Sequence, residues 1–315
     1  MSLLPPRERD GAPATAPAAP DAPDTPGAPA YRGRWSRPVA ALVGSDRLAL
    51  IGAVVLLLIV AAALLAPWLA PYPADGRTAT HPLEALQAPG GDHLLGTDRV
   101  GRDVLSRVLY GARTSLSIAA AVLAIAAVVG VSLGVVAGYA GGWLRDVIMR
   151  VTDVFLAFPA LLLSAVLALL LGPSVSTAIL AIALTWWPWY TRLAAATAAG
   201  IRGRAYVDAA RCLGVSRARI VWRHVLPNSL TPVLVQLSLD AGGVILTAAS
   251  LSYLGLGAQE PAAEWGLMVQ QGQSLFSTAW WVAAFPGLAI LVTAFCFNVL
   301  GEGLRDALDP RRGVR

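Results

Sequence analysis

The chain has 315 residues, of which 56% are apolar and only 14% are charged. This composition excludes a string of soluble domains and favours an all-α integral membrane protein. The net charge of +5 comes from arginine alone, because the chain has no lysine. The arginines fall in the gaps between apolar runs, which indicates loop charge beside a membrane and argues against a nucleic-acid-binding surface.

Residues 1–46 are predicted to form a disordered, Pro/Ala-rich cytoplasmic tail, since the first thirty residues contain eight prolines and no apolar core. Leu3 and Leu4 make too short an apolar run for a signal peptide. We therefore expect the first membrane helix to act as the uncleaved insertion signal.

Six later segments are long and apolar enough to cross about 30 Å of hydrocarbon. They cover approximately residues 48–69, 114–139, 154–171, 175–198, 229–254 and 283–301. The predicted domains follow from them: residues 47–113 hold the first transmembrane helix and a loop, 114–304 the transmembrane core, and 305–315 a cytoplasmic C-terminal tail.

Arginine content predicts the orientation of these spans. With both termini in the cytoplasm, nineteen arginines lie inside and five lie outside. Positive charge accumulates in cytoplasmic loops, so the distribution of arginines predicts an N-in, C-in topology for the six transmembrane helices. The segment 200–228 is then a cytoplasmic loop between helices 4 and 5.

Two glycine patterns suggest chemistry at first sight. The segment "GTDRVGRD", residues 96–103, has P-loop glycine spacing, but Arg102 and Asp103 stand where that motif needs Lys and Ser or Thr. The segment "GVSLG" matches a nucleophile elbow, yet it lies within an apolar helix. Gly130, Gly134 and Gly138 recur every four residues, which favours a flat face for helix packing.

The stretch "AYVDAARCLGVSRARIVWRHVLPN", residues 205–228, predicts a cytoplasmic helix–Gly–helix segment. Its first helix carries a shallow face of small and apolar residues, and Gly214 suits the left-handed residue that ends it. Ser216 is expected to cap a second helix that Pro227 stops. The face consists of Tyr206, Ala209, Ala210 and Leu213. An amphipathic helix held by anionic lipid headgroups would explain the residues equally well.

The spacing Asp208-Ala209-Ala210, Gly214, Leu226-Pro227 resembles the cytoplasmic EAA signature of ABC-importer permeases, E-A-A-x3-G-x9-I-x-L-P. Asp208 replaces the Glu of the signature, and His224 replaces its Ile. The resemblance implies that this loop is a coupling helix that docks on an ATPase. It assigns the contact to Asp208, Ala209, Ala210, Gly214, Leu226 and Pro227, and the shallow face of the first helix adds Tyr206 and Leu213.

Further blocks extend the resemblance from about residue 40 to the C-terminus. The blocks "HLLGTDRVGRDVLSRVLYGARTSLSI", "GYAGGWLRDVIMRVTDVFLAFPALLL", "LSYLGLGAQEPAAEWGLM" and "LGEGLRDALDPR" are similar to the dipeptide/oligopeptide/nickel permease family, its C-type subunit in particular.

The resemblance implies a multi-pass permease subunit in the bacterial cytoplasmic membrane, without enzymatic activity, in an ATP-driven importer of di- or oligopeptides. Its expected partners are a homologous second permease, two cytoplasmic ATPases and an extracytoplasmic substrate-binding protein. ATP and Mg would be bound by the ATPases, and this chain is expected to hold no cofactor, no metal and no nucleic acid.

A nickel or other small-solute importer is the alternative substrate class, and an ATP-independent channel or an intramembrane enzyme is a more distant interpretation. Asp240 lies near the middle of the fifth predicted span. A carboxylate at this depth is expected to face a partner or a water-filled path, because contact with lipid is costly. It is therefore a candidate for the substrate pathway or for pairing with the second permease, and the remaining alternative is a protonated carboxyl without a role.

Overall fold

The computed structural model describes residues 47–308; the predicted disordered tail, 1–46, and residues 309–315 lie outside the described residues. Within 47–308 the chain forms helices and two isolated β-bridges, with no extended strand. The all-α prediction is confirmed for this part of the chain. The helices are α1 (Arg47–Leu64), α2 (Ala66–Leu69), α3 (Val104–Ala140), α4 (Gly142–Leu156), α5 (Ala160–Leu171), α6 (Val175–Arg202), α7 (Ala205–Cys212), α8 (Arg217–Ile220), α9 (Leu226–Tyr253), α10 (Trp265–Gln273) and α11 (Trp281–Leu308).

Four helical segments in the described part of the chain are long and apolar enough to cross a membrane. They are α1, α3, the continuous helical stretch Arg217–Tyr253, and α11. The pair α4 and α5 makes a fifth candidate if both belong to one broken span. Helix α6 has 28 residues, about 42 Å, but its tryptophans, threonines and arginines make it more polar than the others. The predicted count of six spans therefore stays a prediction.

The third predicted span, 154–171, is wrong as one straight helix. The chain bends by 87° between α4 and α5. Pro159 explains the break, because it has no N–H to continue the helical ladder and disfavours a helical conformation in the residue before it. Its own ψ is 122°, and α5 begins after it. Helix α5 is only 12 residues, about 18 Å, which is shorter than the hydrocarbon layer.

The junction before α9 also differs from expectation. Pro227 does not stop a helix; it lies in the first turn of α9, which follows directly on a π-turn over Val221–Val225. The N–H of Leu226 donates to the carbonyl of Val221, five residues back. A proline ring crowds the carbonyl four residues before it, so the wider π-turn accommodates Pro227. Ser216 occupies the N-cap of α8, but its side chain makes no capping hydrogen bond.

Helices α3 and α6 form the most extensive helix pair of the described structure. Gly130, Gly134 and Gly138 lie against α6 in successive turns of α3. A Cβ atom on Gly134 would lie 2.5 Å from the carbonyl oxygen of Thr191 and 2.7 Å from the Cβ of Ala194. Cβ atoms on the other two glycines would lie 2.6 and 2.4 Å from backbone oxygens of α6. Only glycine permits this separation, so α3 and α6 pack backbone to backbone.

The remaining long helices complete the bundle around this pair. Helix α9 packs against α3, α6 and α11, and α1 packs against α3 and α11. Many of the fully buried positions are alanine, which lets neighbouring helices approach closely. The bundle has two ends: the first turn of α3 lies at one, and the last turns of α3 and α6 lie at the other with α7 and α8.

Candidate functional site

The α7–α8 segment, residues 205–225, is attached to the end of the bundle where α3 and α6 finish. The guanidinium of Arg202, at the end of α6, donates to the carbonyl of Ala140 at 3.4 Å. The guanidinium of Arg211 lies over the ring of Tyr139, 5.6 Å from its centre. The first contact joins the end of α6 to the last turn of α3, and the second joins α7 to the same turn. A displacement of α7 therefore acts directly on the two helices that the glycine face holds together.

Gly214 sets the angle between α7 and α8. Its φ is +77°, a left-handed value that residues with a Cβ adopt at a cost. The N–H of Val215 donates to the carbonyl of Ala210 at 3.1 Å, and that of Gly214 donates to the carbonyl of Arg211 at 2.9 Å. These two bonds form a Schellman motif, which satisfies the last carbonyls of a helix. The turn is thus fixed by hydrogen bonds and not only by the absence of a side chain.

Helix α7 has one buried side and one exposed side. Val207 is fully buried in a cluster with Ile201, Ile220 and Val225, and it anchors the helix to the bundle. The sequence pattern of small residues did not single out Val207, although its position three residues before Ala210 places both on one face. Ala210 is half-buried beside this cluster.

The outward side of α7 exposes apolar groups. Tyr206 is 42% exposed and Leu213 is 83% exposed, and Ala209 between them is exposed too. Asp208 is also exposed, and its carboxylate accepts a hydrogen bond from Arg211 at 2.9 Å. The structure therefore exposes Tyr206, Ala209 and Leu213 along one side of α7, and Asp208 on a different side of the same helix.

Leu226 and Pro227 belong to a different element from α7. They form the first turn of α9, where Leu226 is half-buried and Pro227 is exposed. The ring of His224, just before them, lies 6.0 Å from the ring of Tyr206. This contact brings the start of α9 beside the start of α7, although the two are about twenty residues apart in sequence.

Asp240 lies halfway along α9 and is hydrogen-bonded within its own chain. Its carboxylate accepts a hydrogen bond from the hydroxyl of Tyr190 at 2.9 Å and one from the amide of Gln236 at 2.9 Å. Tyr190 is fully buried in α6, whereas Asp240 is only half-buried. One side of the carboxylate lines an open groove between α6 and α9.

A second polar region, which the sequence did not predict, lies at the other end of the bundle in the loop over residues 70–103. Asp103 caps α3 by accepting from the N–H of Ser106 at 2.7 Å. Its other carboxylate oxygen lies 3.0 Å from Nδ1 of His93. The carboxylate of Asp75 accepts from the N–H of Asp103 at 2.9 Å. All four residues are buried, so the loop is held to α3 by an internal polar network.

The segment "GTDRVGRD" belongs to this network, which explains its glycines. Gly96 and Gly101 have φ values of +76° and +83°. A Cβ atom on Gly101 would lie 1.7 Å from the carbonyl oxygen of His81. Asp98 accepts from Nε of the buried Arg102 at 2.7 Å. The glycine spacing thus serves tight turns around a buried ion pair.

Two long-range contacts tie the loop, and a third ties α3, to the C-terminal part of the chain. Nε1 of Trp281 donates to the carbonyl of Thr97 at 3.1 Å, and Arg99 pairs with Glu260. Glu264 caps α10 and accepts from the hydroxyl of Ser115 in α3 at 3.1 Å. The start of α3, the loop and α10 are therefore cross-linked by polar contacts.

Comparison with known proteins identifies the chain. It belongs to the family of binding-protein-dependent transport system inner membrane components, whose model matches residues 130–314. A second model, the N-terminal transmembrane domain of oligopeptide transport permease C, matches residues 45–89. The chain is accordingly a permease subunit of the bacterial inner membrane and not an enzyme, and the resemblance found in its sequence is confirmed.

Its relatives include peptide permeases. A probable D,D-dipeptide transport system permease of Escherichia coli strain K12 is 45% identical over 261 residues, which is 83% of this chain and 87% of the relative. A dipeptide transport system permease of Alkalihalophilus pseudofirmus is 40% identical over 266 residues, 84% of this chain and 86% of the relative. A dipeptide transport system permease of E. coli K12 is 45% identical over 270 residues, 84% of this chain and 89% of the relative.

The fold is similar to that of a solved transporter. A chain of the inward-facing MetNI methionine ABC transporter superposes with a TM-score of 0.52 at 14% identity. The match covers 64% of this chain and 97% of that one. At this identity the likeness concerns the arrangement of helices alone.

Proposed function

We propose that this chain is a permease subunit of an ATP-driven ABC importer that moves di- or oligopeptides across the cytoplasmic membrane. The peptide-transport names of its relatives support peptides over nickel as the substrate class. The chain works with a homologous second permease, two ATPases that hold ATP and Mg, and an extracytoplasmic binding protein. It holds no cofactor of its own.

The proposed topology has six spans with both termini in the cytoplasm. The two further spans beyond the four apolar helical segments are the bent pair α4–α5 and helix α6. Helix α6 is long enough to cross the bilayer. Its polar residues include Thr191, Tyr190 and Trp187, which are buried within the bundle. Protein-facing polar groups of this kind lower the hydropathy of a span without exposing it to lipid.

The proposed ATPase contact is the exposed side of the α7–α8 segment, and this surface carries the functional argument. Tyr206 and Leu213 are apolar groups left exposed on a short helix that Val207 fixes to the bundle. Exposed apolar side chains on a rigid, water-facing helix are typical of protein-binding surfaces. Gly214 holds the helix at a fixed angle, so a push from the ATPase would reach α3 and α6.

The contact can be tested with Leu213→Ala and a matched control. Loss of an apolar anchor at the centre of an interface weakens binding by about tenfold. The tagged chain is produced with the second permease and the ATPases of the same importer, and the ATPase retained on purification is measured. Leu213→Ala should retain much less ATPase than the unmodified chain.

Leu83→Ala is the control, because Leu83 is also largely exposed but lies in the 70–103 loop at the other end of the bundle. It should retain the normal amount of ATPase. Equal retention by both variants would contradict the docking role of α7. Absence of any ATPase with the unmodified chain would contradict the importer itself.

A further inference from the structure

A groove of about 710 Å³ opens between α6 and α9. Its volume lies within the range of about 300–1,000 Å³ that is common for sites that bind small molecules. The residues that line it are Trp186, Trp189, Arg192 and Leu193 from α6, and Gln236 and Asp240 from α9. The groove thus combines one cation, one carboxylate and two indole rings.

The charged groups of this groove lie well inside the helices that carry them. Asp240 is about 21 Å from the start of α9 and about 20 Å from its end. Arg192 is about 15 Å from the end of α6. It pairs with Asp153 of α4 at 2.5 Å, and both side chains are half exposed, at 50% and 51%. A carboxylate halfway along a membrane-spanning helix is costly against lipid, so the groove around Asp240 is expected to face water or a polar ligand.

Both charged groups retain hydrogen-bonding capacity toward the groove. Each oxygen of Asp240 accepts one bond, from Tyr190 or from Gln236, which leaves a second lone pair on each. Arg192 uses one nitrogen on Asp153, and the guanidinium has further donors. The Nε1 donor of Trp186 is buried and has no partner among the described residues. The groove therefore offers an oriented acceptor and several donors.

We propose that this groove is a transient binding site for zwitterionic peptides on the translocation pathway. Asp240 binds the peptide's ammonium group, and Arg192 binds its terminal carboxylate. The faces of Trp186 and Trp189 contact the side chains between these termini, and flat aromatic walls suit side chains of varied shape. Because every free peptide carries both terminal charges, the site recognises peptides without selecting a sequence. This proposal rests on the peptide-import function proposed above.

The test is uptake by the complete importer of three forms of dialanine: free, N-acetylated and C-amidated. Asp240→Asn should lower uptake of free dialanine about tenfold and reduce the preference for a free amino terminus over the acetylated form. Arg192→Gln should instead reduce the preference for a free carboxylate over the amide. The substrate-binding protein is the same in every importer tested, so its own preference among the three peptides is common to all of them. A change of preference between a variant and the unmodified importer therefore comes from the permease.

Asp153→Asn is the matched control for Arg192→Gln. It breaks the same ion pair but keeps the cation, so the preference for a free carboxylate should persist. Asp240→Glu keeps the charge, and it should retain the preference for a free amino terminus even if its total uptake is reduced. The amount of assembled complex is measured for every variant.

The site predicts that Asp240→Asn changes only the preference at the peptide's amino terminus and that Arg192→Gln changes only the preference at its carboxyl terminus. This pair of effects distinguishes a binding site from other roles of the two residues. An equal loss of uptake for all three peptides, or lost assembly in both Asp240→Asn and Asp240→Glu, would overturn the site and assign these charges to packing or to the second permease. Failure of the unmodified importer to take up any peptide would instead overturn the proposed function.

Discussion

The close packing of α3 on α6 makes a quantitative prediction for Gly134→Ala. The new Cβ would lie 2.5 Å from the carbonyl oxygen of Thr191, whereas ordinary contact begins at 3.4 Å. The helices would have to separate locally by the difference, about 0.9 Å, because the obstacle is backbone and cannot rotate away. Overpacking of this kind costs about 1–3 kcal/mol. The higher helix propensity of alanine returns up to about 1 kcal/mol. Subtracting about 1 kcal/mol from this cost leaves a net loss of about 0–2 kcal/mol, with about 1 kcal/mol at the middle of the range.

The measurement is the midpoint of heat-induced aggregation of the purified chain in detergent. A loss of about 1 kcal/mol should lower the midpoint by about 2–4 °C, on the scale observed for domains of about 150–250 residues. Gly200→Ala is the control, since Gly200 lies on α6 and a Cβ atom there would meet no neighbouring element within 4 Å. It should leave the midpoint unchanged or raise it. If both variants raise the midpoint alike, the backbone contact between α3 and α6 is wrong.

Two further predictions address the ends of the bundle. Alkaline-phosphatase fusions after residues near 90 and 265 should be active, and fusions after residues near 210 and 312 should be inactive. Activity of the fusion at 210 would refute both the N-in, C-in topology and the cytoplasmic coupling loop. Asp103→Ala removes the cap of α3 and leaves His93 without its buried partner. These losses should destabilise the chain by about 2–4 kcal/mol and make the 70–103 loop accessible to proteases. Asp103→Asn, which can still cap, should lose less, and equal losses would refute the capping role.

The helical class of the fold was predictable because long apolar runs leave few other structures in a membrane. The bend at Pro159 was missed because residues 154–171 are almost continuously apolar. Hydropathy indicates that a segment can lie in a membrane, but it carries no information about the direction of the helix axis. The dipeptide Phe158-Pro159 did contain the signal, since the residue before a proline is displaced from helical geometry. The prediction for Pro227 was wrong in the opposite sense, because a helix end was predicted where the helix continues. There a π-turn absorbs the proline and the helix continues.

The candidate sites also contain features that the sequence predicts, because they are local, and features that it does not, because they depend on long-range packing. The turn at Gly214 could be predicted because its left-handed conformation is a local requirement. The partners of Asp240 could not, since Tyr190 lies 50 residues away and meets it only when α6 packs on α9. The contact of Ser115 with Glu264 spans 149 residues. Neither residue carries a local pattern that indicates the other.

The length of α3 has a mechanical consequence. Its 37 residues extend about 55 Å without a break, from the Asp103 cap to the turn beside Arg202. A lever of this length converts a tilt of about 5° at one end into a displacement of about 5 Å at the other. Close packing along the glycine face joins α6 to α3. At the Asp103 end of the bundle, a polar contact of α3 joins it to α10, and one of the 70–103 loop joins that loop to α11. Small rotations imposed beside α7 would thus arrive at the opposite end of the bundle as movements the size of an amino-acid side chain.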